Sequence, residues 1–159
     1  MSVIENLQGK FDQVQAADAA SALNPVRQKA FAELIQMGIP SVKHEEWKYT
    51  RISSLFNKDY KLPVGVSADT IGATELDAFR LPGDDRANIL VFINGQYYLP
   101  LSKIISQHLV VMPLEEAAKN EYAEIVSQNF GHSSQYLRDG INALSTAFVQ
   151  GAVFVQVKK

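Results

Sequence analysis

The chain has 159 residues, 47% of them hydrophobic and 20% charged, with a formal net charge of −2. That length and balance describe one ordinary globular domain and exclude a wholly disordered chain. With 15 Lys plus Arg against 17 Asp plus Glu, a strongly basic nucleic-acid binder is not expected, and the absence of cysteine excludes disulfides, thiolate nucleophiles and Cys-ligated metal within this chain.

The first expected element is a helix that opens at Ser2. Glu5 stands at the capping-box distance, and Val3, Leu7, Phe11 and Val14 recur on one face. Gly9 weakens it, and residues 16–22 read as linker or continued helix. A second helix is predicted with Asn24 as N-cap and Pro25 at the first helical position. Val26, Ala30, Phe31, Leu34 and Ile35 line one face, Gly38 is the stop and Pro40 lies just beyond. A short helix from Thr50 is expected to bury Ile52, Leu55 and Phe56.

Residues 57–88 form a long connection rich in Pro, Gly and Asp, with one helical turn near 74–79. The strongest strand signal follows. Ile89–Ile93 and Gln96–Leu99 flank Asn94-Gly95, a pair suited to a hairpin turn whose two central residues take positive φ. Ile89–Ile93 is apolar at every position, so it is expected to be covered on both faces. Leu109–Met112 reads as a third strand.

One helix is then expected to carry Leu114, Ala118, Tyr122, Ile125 and Val126 as a stripe, with Glu115, Glu116 and Lys119 toward water and Gly131 as its stop. Another, capped by Ser133 or Ser134, repeats Leu137, Ile141, Leu144 and Phe148, holds Gly140 inside and ends at Gly151. Residues 152–159 alternate as a strand for which no pairing partner follows in sequence, a hint of a truncated chain. The fold class is α+β: N-terminal amphipathic helices with a small sheet built on the hairpin.

Chemical motifs are scarce. His44, His108 and His132 are far apart in sequence, and Lys48 stands where a zinc-protease helix would carry its second histidine after His44-Glu45. Gly131-His132-Ser133-Ser134-Gln135 imitates a serine-hydrolase elbow, but Gln135 is too large for its sharp turn. No phosphate-cradling glycine loop is present, so ATP hydrolysis by this chain is not expected. Glu45-Glu46, Asp84-Asp85 and Glu115-Glu116 are adjacent in sequence and point in different directions, as solvated faces do. Trp47, the single tryptophan, reads as a core anchor or, second, as a partner-binding face. No apolar run approaches the ~20 residues that span a bilayer, and no charged start leads into a signal-type apolar run, so a cytoplasmic location without membrane contact is expected.

The segment around Trp47 carries a resemblance. Gly38, Pro40, Glu45, Trp47, Lys48, Tyr49 and Thr50 match a G-x-P-x-x-x-x-E-x-W-K-Y-T run near the start of SufD proteins, the iron–sulfur cluster assembly family. It follows an Asn-Pro-started helix with Arg27, Ala30 and Phe31. Leu90–Tyr97 with Leu101-Ser102, and Leu144–Phe148 leading to Gly151 and a strand from Val153, match the family in the same order. The resemblance implies a noncatalytic scaffold subunit, residues 1–150 as its N-terminal helical domain and 151–159 as the first strand of a right-handed β-helix. It implies SufB and the ATPase SufC as partners, met mostly through regions outside this chain. It transfers no catalytic, metal or cofactor residue to any position here. An independent adaptor domain for a protein or peptide is the alternative, with a small metal-dependent hydrolase built on His44, His132 and acidic residues behind it.

Overall fold

A computed structural model describes residues 2–62, 71–132, 136 and 138–158. The chain divides into two compact units. The first joins residues 1–64 to 124–149, and the second joins 65–123 to 150–159.

In the first unit, helix α1 spans Val3–Ala17 and α2 spans Asn24–Met37. The capping box forms as its spacing predicts: the Glu5 N–H donates to Ser2 Oγ at 3.2 Å, and the Ser2 N–H donates to Glu5 Oε2 at 2.6 Å. Helix α2 departs from expectation at its start. Leu23 occupies the cap position, and Asn24 is the first helical residue. The Asn24 side chain is buried and faces backward, donating to the Asp18 carbonyl at 2.9 Å and accepting from Arg27 at 3.0 Å. Tertiary partners thus outcompete the local cap.

The α5 helix (Ala123–Asn129) and α6 helix (Gly140–Ala147) complete this unit. Helix α6 runs antiparallel to α2. Its first residue approaches Gly38 at the end of α2, and Val149 beyond its last turn accepts from Arg27 near the start of α2. Gly140, Ala143 and Ala147 are the buried face of α6, at the i, i+3, i+7 spacing that puts small residues on one stripe. Leu144 and Phe148 pack beside the cluster of Phe11, Ala30, Phe31 and Leu34. Phe11 and Phe31 stack with ring centroids 4.2 Å apart, and Phe148 meets both edge-on.

Three helix expectations are corrected here. Helix α6 is capped by Asp139, whose Oδ1 accepts from Ile141 and Asn142 at 2.7 and 2.8 Å, and Gly140 begins the helix instead of lying inside it. The expected caps Ser133 and Ser134, and Leu137, lie outside the described residues. The single helix expected over 114–126 is two: α4, Leu114–Ala117, and α5. Asn120 separates them, its Oδ1 accepting from the Tyr122 N–H at 2.9 Å, a local turn bond that competes with helix continuation. After Thr50 a 3₁₀ turn forms over Ser53–Asn57 with no buried residue; Ile52 and Phe56 are half-buried and Leu55 is exposed.

In the second unit, a short helix α3 spans Ala73–Asp77, within the stretch where one turn was expected. Strands β1 (Phe92–Ile93) and β2 (Gln96–Tyr97) pair antiparallel across Asn94 and Gly95, whose φ values are +52° and +78°. Both central residues take the positive φ a primed turn demands. Val91 and Ile93 are buried while Phe92 is exposed, so this strand is covered on one face only, not on both. Strand β3 (Leu109–Pro113) pairs antiparallel with β4 (Val153–Val157), in register from Leu109 opposite Val157 to Pro113 opposite Val153. The closing strand therefore has a partner, which precedes it in sequence. Tyr122 stacks on Phe154 at 4.8 Å beside this ladder. Gly151, with φ +63°, fits against the hairpin, where an added Cβ would lie 2.5 Å from the Gln96 Cα. Among the described residues no helix is long and apolar enough to cross a membrane.

The α2–α6 contact yields a sign test. Within a helix, alanine exceeds glycine by up to about 1 kcal/mol. A Cβ on Gly140 would sit 1.8 Å from the Gly38 carbonyl oxygen, and overpacking of this kind costs about 1–3 kcal/mol. Gly140→Ala is expected to lower the urea midpoint; a raised midpoint would show that the two helices separate freely.

Candidate functional site

The motif segment grows directly out of the α2 terminus. The Gly38 N–H donates to the Leu34 carbonyl at 2.8 Å, and Gly38 then takes φ +69°, turning the chain away from the helix axis. Pro40 is buried under that turn, its Cδ 3.5 Å from the position a Cβ on Gly140 would occupy. The next turn closes through the His44 N–H to the Ser41 carbonyl at 3.0 Å, and the Ser41 N–H donates to His44 Nδ1, also at 3.0 Å. A 3₁₀ turn over Glu45–Trp47 follows.

This arrangement lines a cleft of about 320 Å³. Gly38, Pro40, His44, Glu46 and Trp47 form one side, and Tyr136, Arg138, Asp139 and Gly140 the other. Trp47 is half-buried, and its ring supplies the largest apolar surface of the motif. Across from it, the Asp139 carboxylate is committed to capping α6, so the helix N-terminus there is already satisfied. Arg138 and Glu46 make no hydrogen bond or ion pair among the described residues.

The structure divides the seven motif residues. Gly38, Pro40 and Trp47 meet at the cleft. Glu45, Lys48, Tyr49 and Thr50 are exposed on the far side of the 3₁₀ turn. There Lys48 Nζ lies 3.9 Å from Glu45 Oε1 and 5.6 Å from the Tyr49 ring centroid. Exposed pairs of this kind contribute little to stability. Tyr49 is 90% exposed, which is unusual for a ring of that size.

The histidines do not share a site. His44 stays within the Trp47 cleft, and His132 lines a separate depression beside Val26 and Thr146, with Nε2 3.3 Å from Tyr136 Oη. Among the described residues no three His, Asp or Glu side chains are grouped to hold a metal ion. Ser41 Oγ lies 3.4 Å from His44 Nδ1, too long for a nucleophile–base pair, and that nitrogen already faces the Ser41 N–H. The chemistry the cleft can offer is therefore recognition: stacking on Trp47, with charge of both signs from Arg138 and Glu46.

Three residues of the cleft carry no signal in local sequence. Tyr136, Arg138 and Asp139 arrive from some ninety positions away along the chain, and no local pattern links them to Trp47. Arg27 is buried to 2% exposure, with Nε and Nη2 donating to the Val149 carbonyl at 3.2 and 2.9 Å and Nη1 donating to Asn24 Oδ1 at 3.0 Å. Arg27, marked in sequence only as part of the family resemblance, lies in the first turn of α2.

The fold is a mixed helix-and-strand domain, and comparison with known proteins identifies the group. Residues 4–159 match the family described as SufBD protein N-terminal region, and the chain belongs to that family. It is also similar to the iron-sulfur cluster assembly protein SufD of Escherichia coli (strain K12), with 34% identity over 79 residues, covering 50% of this chain and 17% of that relative. The chain thus spans a minor part of that relative's length. No solved structure matches it.

Losing the Asp139 cap should be visible directly. Asp139→Ala is expected to cost about 1 kcal/mol, and Asp139→Asn, which can accept the same bonds, well under that. Equal losses in the two variants, measured by urea unfolding, would show that the cap does not set the cleft wall.

Proposed function

We propose that this chain acts in iron–sulfur cluster assembly as the N-terminal region of a SufD-like subunit, a noncatalytic scaffold that works in a cytoplasmic complex with SufB and SufC. The observation that carries the reading is the family match across residues 4–159. The similarity to a SufD protein supports it over half the chain. In this reading residues 1–150 form the N-terminal domain and 151–159 correspond to the first strand of the family's β-helix core. Contacts with SufB and SufC lie mostly in regions beyond these residues, and no residue here performs chemistry or holds a cofactor.

The geometry fits a role in docking. Trp47 and its cleft offer recognition surface, and the motif's second half presents Tyr49 and Lys48 outward. That exposure also favours the second reading, an independent adaptor domain for a protein ligand.

Co-purification separates the two. A full-length SufD-like protein containing this sequence is expected to retain SufB and SufC through size exclusion, whereas the 159-residue chain alone is expected to retain neither in stoichiometric amount. Capture of an unrelated protein by the chain, with no binding of SufB or SufC by the full-length protein, would favour the adaptor. Stoichiometric zinc, or hydrolysis abolished by His44→Ala, would overturn both.

A further inference from the structure

Helix α1 carries more apolar surface than α2 covers. Phe11 and Val14 are buried. Val3, Asn6, Leu7 and Lys10 follow the i, i+3, i+4, i+7 spacing and so share a second face. Leu144 and Phe148 of α6 lie one turn apart beside that face, and Leu55, Phe56 and Tyr60 wall the other side. Together they enclose a groove of about 370 Å³ whose lining is almost wholly apolar. Phe148 touches Phe11 edge-on at 5.8 Å, so the floor of the groove is the rim of the core itself. Leu55 and Tyr60 remain 52% and 54% exposed on its wall.

The charge around this groove is one-sided. Lys10 Nζ pairs with Asp59 Oδ1 at 2.7 Å and donates to the Tyr60 carbonyl, tying the wall to α1. The hydrogen bond and charge of Lys10, aided by Lys61, hold the Asp59 carboxyl below its ordinary value, so it stays ionised and neutralised. Lys58 lines the groove, and among the described residues its side chain makes no ion pair or hydrogen bond. Lys58 is therefore surplus positive charge at an apolar cleft.

We propose that this groove docks an amphipathic helix of a partner protein, with large apolar side chains on the entering face and carboxylates on its flanks. A concave apolar wall between helices accepts a convex ridge of side chains spaced one helical turn apart. The lysines select the sign of the flanking charge and speed encounter more than they add affinity. Lys10, already engaged by Asp59, positions the wall, and Lys58 is the group that meets the incoming carboxylate.

The test uses the 159-residue chain and two fluorescein-labelled synthetic helices of about 14 residues. Both carry leucine at i, i+3, i+4 and i+7; one has glutamate at most other positions and the other lysine. Fluorescence anisotropy is expected to show the glutamate peptide saturating below about 100 μM, with the lysine peptide at least about tenfold weaker. Leu55→Asp is expected to weaken binding about tenfold and Lys58→Glu about threefold, each at an exposed position that leaves the thermal midpoint within a few degrees. Tyr60→Ser provides a second lesion on the same wall. Equal binding of both peptides, no saturation by about 1 mM, or affinity unmoved by Leu55→Asp and Tyr60→Ser would overturn the proposal. A concentration-dependent dimer in sedimentation, lost in Leu55→Asp, would assign the groove to a second copy and overturn it as well.

Discussion

The first unit depends on how closely α6 can approach α2. Gly140, Ala143 and Ala147 carry almost no side-chain bulk, and Ala143 and Ala147 are 2% and 0% exposed. A stripe of small residues lets two helix backbones come together, and the larger residues Phe31 and Leu34 then fill the flanks. Each fully buried side chain of that size contributes about 1.5–3 kcal/mol relative to exposure. The contact joins segments more than a hundred residues apart, so its loop-closure entropy is met late in folding and only a well-packed interface can offset it. The same interface sets the Trp47 cleft, because the two sides of that cleft leave from the two helices of this one contact: the C-terminus of α2 and the N-terminus of α6.

Arg27 closes the other end of the helix pair. Burying a guanidinium is costly unless its donors are used, and here two reach the Val149 carbonyl and a third reaches Asn24. Bonds from a charged donor to a carbonyl are stronger than neutral ones. They fix where the chain leaves α6, at Val149. The polar hub and the small-residue stripe therefore perform complementary tasks. The stripe brings the helices close, and the arginine fixes their register along the axis.

Much of this was legible in local sequence, and the failures have a common cause. The capping box and the Asn94-Gly95 hairpin are decided within a few residues, and both form with the geometry their patterns demand. Patterns weighted toward large apolar residues selected Leu144 and Phe148 on α6, and these do pack on the core. They passed over Gly140, Ala143 and Ala147, which make the closest contact because they are small. Asn24 has the chemistry of a cap, but tertiary partners from Gln15 to Arg27 claim its side chain. The unbroken helix expected through 114–126 ignored the bond between Asn120 and Tyr122. The partner of β4 lies before it in sequence, because an antiparallel ladder pairs as easily with an earlier strand as with a later one. At the site, the resemblance marked Gly38, Pro40 and Trp47, while Tyr136, Arg138 and Asp139 could be found only once α6 was seen to meet α2.

The motif around Trp47 is better understood as two devices in one run of sequence. Gly38 must turn with positive φ and also yield its carbonyl side to Gly140, and Pro40 stiffens the exit. These positions serve packing, and their chemistry would be the same whatever the domain bound. From Glu45 onward the constraint changes. Tyr49 and Lys48 touch little of the fold, so packing does not require a large ring or a cation there. The packing half of the motif thus sets the point from which its exposed half leaves the end of α2.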